Sequence, residues 1–159
     1  MLLGQRAMSS GDLRQKLRLR AEKLDDIDPI IEQLTSYGAL DDARYAELYA
    51  SARKENQALG KSRVAMDLAK KRVPRNLAQK AIESTYAGSD EIALIENFLE
   101  RKFRGKNLPV YLSEAKHLAS AFRRLRTAGY SASNSLKVLR RYSNLAESID
   151  EDSLEEPES

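Results

Sequence analysis

The run Leu40-Asp41-Asp42-Ala43-Arg44-Tyr45-Ala46, followed by Gly60-Lys61-Ser62-Arg63-Val64 and then Lys70-Lys71-Arg72-Val73, leaves few folds open. Asp41 or Asp42 can cap a helix, because a side-chain oxygen accepts from the open amides of the first turn. Tyr45, Leu48, Tyr49 and Ala52 then recur at i, i+3, i+4 and i+7, the spacing of one apolar helix face. Gly60 breaks that helix. A second carries Val64, Ala65, Leu68 and Ala69 to a basic end at Arg72. Pro74 opens a third, with Leu77, Ala78, Ala81, Ile82 and Tyr86 inward and Gly88 closing it. Helices this short are marginal in water, so each must bury its stripe against others. The pattern is that of a row of small helical units with basic edges, not of a catalytic pocket.

The remainder of the chain repeats the theme. Residues 2–8 read as the remnant of a helix. Ser9 or Ser10 offers an N-cap for a helix bearing Leu13, Leu17 and Ala21. Asp28 is expected to cap the next, with Pro29 at its first position, Ile30, Ile31, Leu34 and Tyr37 on its apolar side and Gly38 at its end. Ser89 or Asp90 starts a helix with Ile92, Ile95, Phe98, Leu99 and Phe103. Gly105 and Pro109 punctuate. Leu118, Ala121, Phe122 and Leu125 form another stripe, stopped by Gly129, and Ser131 or Ser133 caps a last helix with Leu136, Leu139 and Tyr142. No run of alternating Val, Ile or Thr makes a strand, so the expected class is all-α. Up to nine helices group in threes. Val64, Leu68, Val73, Leu77 and Ile82 overlay Ala121, Leu125, Tyr130, Asn134 and Leu139 at a constant offset of 57. Leu13, Leu17, Leu24 and Leu34 match less cleanly. Such self-similarity suggests a tandem helical array.

Charge is distributed unevenly. The formal net charge is +3, from 27 Lys and Arg against 24 Asp and Glu. Seven of the acids (Glu147, Asp150, Glu151, Asp152, Glu155, Glu156 and Glu158) lie in residues 144–159, which hold no base. Residues 1–143 therefore carry 27 bases against 17 acids, a net +10 that favours polyanionic partners. The acidic tail is expected to be disordered, and a solubilising end is a better reading of it than a nucleic-acid mimic competing for the basic face.

The bases cluster. Arg14, Arg18 and Arg20 (with Lys16 and Lys23), Lys61 and Arg63, and Lys70, Lys71, Arg72 and Arg75 form the first three groups. Arg101, Lys102 and Arg104 (with Lys106), then Arg123, Arg124 and Arg126, then Arg140 and Arg141 form the others. Several fall at helix C-termini, where the dipole is complemented by a cation at a few tenths of a kcal/mol each. That accounts for one or two charges per helix but not for recurring triplets, so these residues are the candidate phosphate-binding set. Filament or strand binding would need the cations of successive units to share one face. A helix-turn-helix reader, with Arg75, Asn76, Gln79 and Lys80 at base edges, is the alternative. It fits less well, since the corresponding helix of the first unit offers Asp28, Glu32 and Gln33.

Residues for other chemistry are sparse. The chain has no Cys and one His, so thiolate metal sites, disulfides and Cys nucleophiles are excluded. His117 alone makes neither a metal centre nor a triad. Gly60-Lys61-Ser62 lacks the upstream glycine and strand of a phosphate loop. Asp41 with Arg44 reads as a cap with a local ion pair, and Tyr45 and Tyr49 as core. No cofactor and no enzyme activity is expected. No apolar run approaches a membrane span, and the expected location is the cytoplasm.

These motifs resemble the RecX family of recombination regulators. The resemblance rests on Leu-Asp-Asp-x-Arg-Tyr-Ala at Leu40–Ala46, and on Gly-x-x-Arg-Val at Gly60–Val64 with Leu68 and Lys71-Arg72-Val73. It also rests on Arg-Lys-Phe-Arg at Arg101–Arg104 with Arg-Arg-x-x-x-x-Gly-Tyr from Arg123 to Tyr130. It spans about residues 2–142. Two departures stand out: a first unit that begins almost at Met1, and basic-then-Gly ends replaced by Ala21-Glu22-Lys23-Leu24 and Lys71-Arg72-Val73. The resemblance implies an elongated array of three tandem three-helix repeats, with boundaries at 1–38, 39–88 and 89–143 before the tail at 144–159. It implies a cytoplasmic regulator, expected to be monomeric. Such a protein binds the RecA nucleoprotein filament, touches single-stranded DNA without sequence preference, and inhibits recombinase and ATPase activity in recombination and repair. No catalytic residues carry over.

Overall fold

The computed structural model describes residues 7–20, 26–38 and 40–143. Of the expected helix remnant at residues 2–8, Ala7 and Met8 are not helical and the rest lies outside the described residues, as do Ala21, Lys23, Leu24 and the acidic tail. The described residues form nine helices and no strand: α1 (Ser10–Arg20), α2 (Ile27–Ser36), α3 (Asp42–Gln57), α4 (Lys61–Lys70), α5 (Arg75–Thr85), α6 (Glu91–Lys102), α7 (Leu108–Tyr111), α8 (Ala115–Thr127) and α9 (Ala132–Leu139). They form two compact units. One comprises the residues up to Arg53 with Val64–Ala87; the other comprises Lys54–Arg63 with the residues from Gly88 onward.

In the first unit α1 packs on α2. Met8, Leu13, Ile27, Ile31 and Leu40 are buried together, with Leu17 and Leu34 partly buried against them. Helix α2 starts earlier than the Asp28-Pro29 pair suggests, with Asp26 at the cap position and Ile27 as its first residue. Pro29 still lies in the first turn, where its missing N–H costs no helical bond. The shift brings Ile27 into the core and leaves Ile30 and Tyr37 exposed, at 41% and 76%. The apolar face of α3 is also displaced. Ala46 and Ala50 are fully buried, Leu48 is 59% exposed, Ala52 is exposed, and Tyr45 and Tyr49 are half-buried. The buried face of this helix is thus made of small side chains, with both tyrosines at its flank. Val64 and Leu68 of α4 are buried while Ala65 and Ala69 are exposed. On α5, Ala78, Ala81 and Ile82 are buried, with Tyr86 just beyond it. Burial pushes the Tyr86 hydroxyl pKa up to about 12.

In the second unit α6 packs on α8 and α9, which also pack on each other. Phe98, Phe103 and Phe122, the three phenylalanines of the chain, are buried there with Ile95, Leu99, Leu118, Leu125, Leu136, Leu139 and Tyr130. The segment that Gly105 and Pro109 were expected only to punctuate forms the single turn α7. Its cap is Asn107, whose side chain accepts from the Val110 N–H at 3.4 Å, and it delivers Leu112 into the core. Asp90 caps α6 (Ile92 N–H, 3.0 Å) and Ser131 caps α9 (Asn134 N–H, 3.3 Å).

The offset of 57 reappears as backbone geometry. Helix α4 closes through Arg72 N–H to Ala69 O (3.0 Å) and Val73 N–H to Leu68 O (3.1 Å). Helix α8 closes through Gly129 N–H to Arg126 O (3.1 Å) and Tyr130 N–H to Leu125 O (3.1 Å). The left-handed residue of this turn is Arg72 (φ 59°) in one and Gly129 (φ 99°) in the other. Lys71-Arg72-Val73 thus makes the same turn as the Gly-bearing end, with an arginine in the glycine's place.

Each turn is met by residues of its own unit that lie at the start of another helix. At the second unit's turn the Gly60 N–H donates to Ala128 O at 2.7 Å, and the Tyr130 hydroxyl donates to Ala58 O. A methyl group on Gly60 would lie 2.7 Å from Gly129 O, and one on Gly129 would lie 2.4 Å from the Arg63 nitrogen. At the first unit's turn the Ser9 hydroxyl donates to Lys71 O and accepts from the Asp12 N–H (3.1 Å), so Ser9 is the cap of α1. A methyl group on Gly11 would lie 2.5 Å from the Arg72 Cβ and 2.6 Å from its carbonyl oxygen.

Candidate nucleic-acid interface

The joint at Arg72 builds a cleft inside the first unit. The Ser10 N–H donates to Asp42 Oδ1 at 2.7 Å and its hydroxyl donates to Asp42 Oδ2, which ties the start of α1 to the start of α3. Ser9 ties it to the end of α4. A cavity of about 470 Å³ is left beside these ties, lined by Asp12, Gln15 and Lys16 from α1 and by Tyr45 and Tyr49 from α3. Asp67, Lys70, Lys71 and Arg72 complete it from the end of α4, with Ala7 and Met8. Its charged lining is four cations against two carboxylates, and the Arg72 Nη1 pairs with Asp12 Oδ1 at 3.0 Å. Low-dielectric walls around an excess of one sign concentrate the opposite charge.

Tyr45 and Tyr49 give the cleft an aromatic wall. Their rings stack with centroids 6.0 Å apart and planes 29° apart, and the Arg53 guanidinium carbon lies 4.8 Å from the Tyr49 centroid. Residues at i, i+4 and i+8 share one side of a helix, so the three flat groups form a column along α3. The expectation that both tyrosines are core is corrected by the burial of Ala46 and Ala50 in their stead. Asp41 accepts from the Arg44 N–H at 3.1 Å, which makes it the cap of α3 and leaves Asp42 for its contact with Ser10.

The other basic residues divide by what they touch. In the first unit Arg14 pairs with Asp28, Arg18 and Arg20 are exposed at the end of α1, and Arg75 is exposed at the start of α5 with Asn76, Gln79 and Lys80. In the second unit Arg63 donates to Thr127 O (3.1 Å) and Arg126 to Tyr130 O (2.8 Å), so both serve carbonyls at the end of α8. Arg141 pairs with Glu96. The Arg124 guanidinium carbon lies 5.5 Å from the Phe103 centroid, the Lys102 Nζ 5.8 Å from that of Phe98, and the Lys106 Nζ 4.4 Å from that of Tyr111. Each charge lies beside an aromatic ring on a side chain that remains exposed. Lys61, Arg101, Arg104 and Arg140 are exposed and Arg123 is partly so. Sequence clustering therefore mixes cations tied up in packing with cations that face solvent. It also missed the tyrosine wall, whose only signal is the Tyr45, Tyr49, Arg53 spacing.

Two other polar sites are structural. His117 Nδ1 lies 3.2 Å from Tyr111 O, and its ring stacks on Tyr111 with centroids 4.0 Å apart. Glu91 accepts from the Ser131 N–H (3.2 Å), the Ser131 hydroxyl and the Asn134 amide (2.9 Å). Burial raises its pKa, but those hydrogen bonds and the Lys61 charge outweigh burial and hold the carboxyl below its ordinary value. Among the described residues no group of His, Asp and Glu could hold a metal ion, and no helix is long and apolar enough to cross a membrane.

Known proteins share both the sequence and the architecture. The family model of the second three-helix domain of RecX matches residues 41–82, which supply Tyr45, Tyr49, Lys70, Lys71 and Arg72 of the cleft. The regulatory protein RecX of Halorhodospira halophila is 30% identical over 123 residues, covering 77% of this chain and 74% of its own length. That of Pelodictyon phaeoclathratiforme is 28% identical over 138 residues, covering 78% and 84%. The crystal structure of RecX from Lactobacillus salivarius superposes with a TM-score of 0.65 at 20% identity, covering 89% of each chain. The all-α fold of three-helix repeats, the paired motifs around α3 and α4, and this degree of identity agree: the chain belongs to the RecX family of regulatory proteins.

Proposed function

We propose that this chain is a non-enzymatic, cytoplasmic regulator. In this reading it binds the RecA nucleoprotein filament, touches its single-stranded DNA without sequence preference, and lowers RecA recombinase and ATPase activity. The observation that carries the proposal is that the segment matching the RecX family model lines most of the basic cleft. Lys70 and Lys71 would contact phosphates, with Arg18, Arg20 and Arg75 as the rest of the first unit's share and Lys61, Arg101, Arg104, Arg123 and Arg140 as the second unit's share. Several weak sites on one chain act together through effective concentration, so a filament is held more tightly than any one contact allows. We assign the repeats to 1–38, 39–88 and 89–143, and take the protein to act as a monomer. The alternative of a sequence-specific helix-turn-helix transcription factor, reading base edges through Arg75, Asn76, Gln79 and Lys80, has no support from the relatives, which are named regulatory protein RecX.

Titration of the protein into a RecA ATPase assay on single-stranded DNA is the direct test. A progressive fall in rate is expected, and an unchanged rate at saturating protein would end the proposal. Replacing Lys70 and Lys71 with Ala should weaken single-strand binding and shrink the slope of log affinity against log salt by about 1.4, from roughly 0.7 per lost phosphate contact. An unchanged slope removes both lysines from the interface.

A further inference from the structure

We propose that the first unit's cleft is a nucleobase site, in which one unpaired base extends the Tyr45–Tyr49–Arg53 column while the flanking phosphates meet Lys16 and Lys70. This rests on the nucleic-acid half of the function proposed above and adds to it a specific ligand group and residues. Cations alone would account for a phosphate track. They do not account for two half-buried tyrosines stacked at 6.0 Å along a cavity whose opposite wall is basic. The volume of about 470 Å³ lies within the range of small-ligand sites and exceeds what a bare phosphate needs. The column is already ordered by its own stacking and by Arg53, so a base added to it meets a preformed surface. Every base has a π-face, so such a site is tolerant of sequence. It is closed to paired bases, whose faces are covered in the duplex. The cleft would therefore let the protein favour single strands over duplex, which phosphate contacts alone do not achieve.

The test compares a fluorescent single-stranded octamer with the same octamer made abasic throughout, by anisotropy on the full chain at one salt concentration. The intact octamer is expected to bind about 5- to 150-fold more tightly, the range that stacking of one base provides. Tyr45→Ala should abolish that advantage, whereas Tyr45→Phe should preserve it. Equal affinity of the wild-type chain for both octamers overturns the base site while leaving the phosphate contacts intact. A persisting advantage in Tyr45→Ala places the base elsewhere and also overturns it. Binding of neither octamer removes the function proposed above together with this site. Should Tyr45→Ala not fold, photocrosslinking of the wild-type chain to an octamer carrying 5-iodouracil decides the matter. Adducts on Tyr45 or Tyr49 support the site, and adducts found only at other residues overturn it.

Discussion

The two units solve one packing problem with different materials. Each has a helix that ends in the same left-handed turn, and each brings the start of another helix onto that turn. In the second unit glycine stands on both sides, at Gly60 and Gly129, and Tyr130 adds a hydroxyl contact to Ala58 O. In the first unit glycine stands on one side only, at Gly11, and the other side is Arg72, whose side chain turns to Asp12 and the cleft. Cores differ in the same sense. All three phenylalanines are buried in the second unit, whereas Tyr45 and Tyr49 of the first line its cleft. The second unit closes its turn for packing; the first gives up part of that closure and keeps a cation and an aromatic wall at the opening.

The largest effect that would sharpen this contrast is in the second core. Phe122 is fully buried, and Phe122→Ala should cost about 3–5 kcal/mol by denaturant unfolding. Tyr49→Ala, at the half-buried wall, should cost clearly less. Equal losses would mean that Tyr49 is a core residue after all.

Next comes the turn itself. Gly129→Ala adds a methyl 2.4 Å from the Arg63 nitrogen and 2.7 Å from its Cβ, at φ 99°. Overpacking costs about 1–3 kcal/mol and the left-handed conformation roughly 1 more. A loss of about 2–4 kcal/mol is expected, measured by thermal or urea unfolding. A loss below 1 kcal/mol would show that the joint yields easily.

How much of this could be read from the sequence follows from what each contact uses. The stripes of α6 and α8 were legible because large apolar residues at helical spacing are themselves the core. On α3 the same rule chose Leu48 and the tyrosines, whereas the buried face is Ala46 and Ala50. Hydropathy weights bulk, but the buried residues of α3 are small, and the two point to different faces. Clusters of cations were legible as charge. The cleft was not, because α1 is brought to the end of α4 by Ser9 on a carbonyl and Gly11 beside a backbone. Any residue supplies a carbonyl, so the acceptor leaves no mark in the sequence.

A middling effect is expected at Glu91, which ties α6 to the start of α9 in the second unit. Glu91→Ala should cost about 1.5–3 kcal/mol, in line with hydrogen bonds to a charged group. Because its folded pKa is lowered, its contribution is fully present above the ordinary carboxyl value of 4.5 and is lost as pH falls through the folded value. Urea unfolding from pH 7 to pH 3 should therefore show a steeper acid loss for the wild type than for Glu91→Gln. Parallel curves would remove Glu91 from the account.

The smallest effect probes the equivalence of the two turns most directly. Arg72 sits at φ 59°, so a glycine there relieves about 1 kcal/mol of left-handed strain. The same change deletes the pair with Asp12, which joins a half-exposed guanidinium to a more buried carboxylate and contributes about 0.5 kcal/mol. Arg72→Gly should therefore leave stability within about 0.5 kcal/mol of the wild type, although it removes a long side chain from a joint too tight for a methyl group on Gly11. Substitution toward glycine is then nearly neutral at position 72, while substitution away from it is costly at position 129. This asymmetry is what one turn with two occupants predicts. If Arg72→Gly instead loses more than about 1.5 kcal/mol, the arginine side chain is itself a structural element of the first unit. The turns would then share only their backbone course, and a cation at that position would owe its place to packing, not to a ligand.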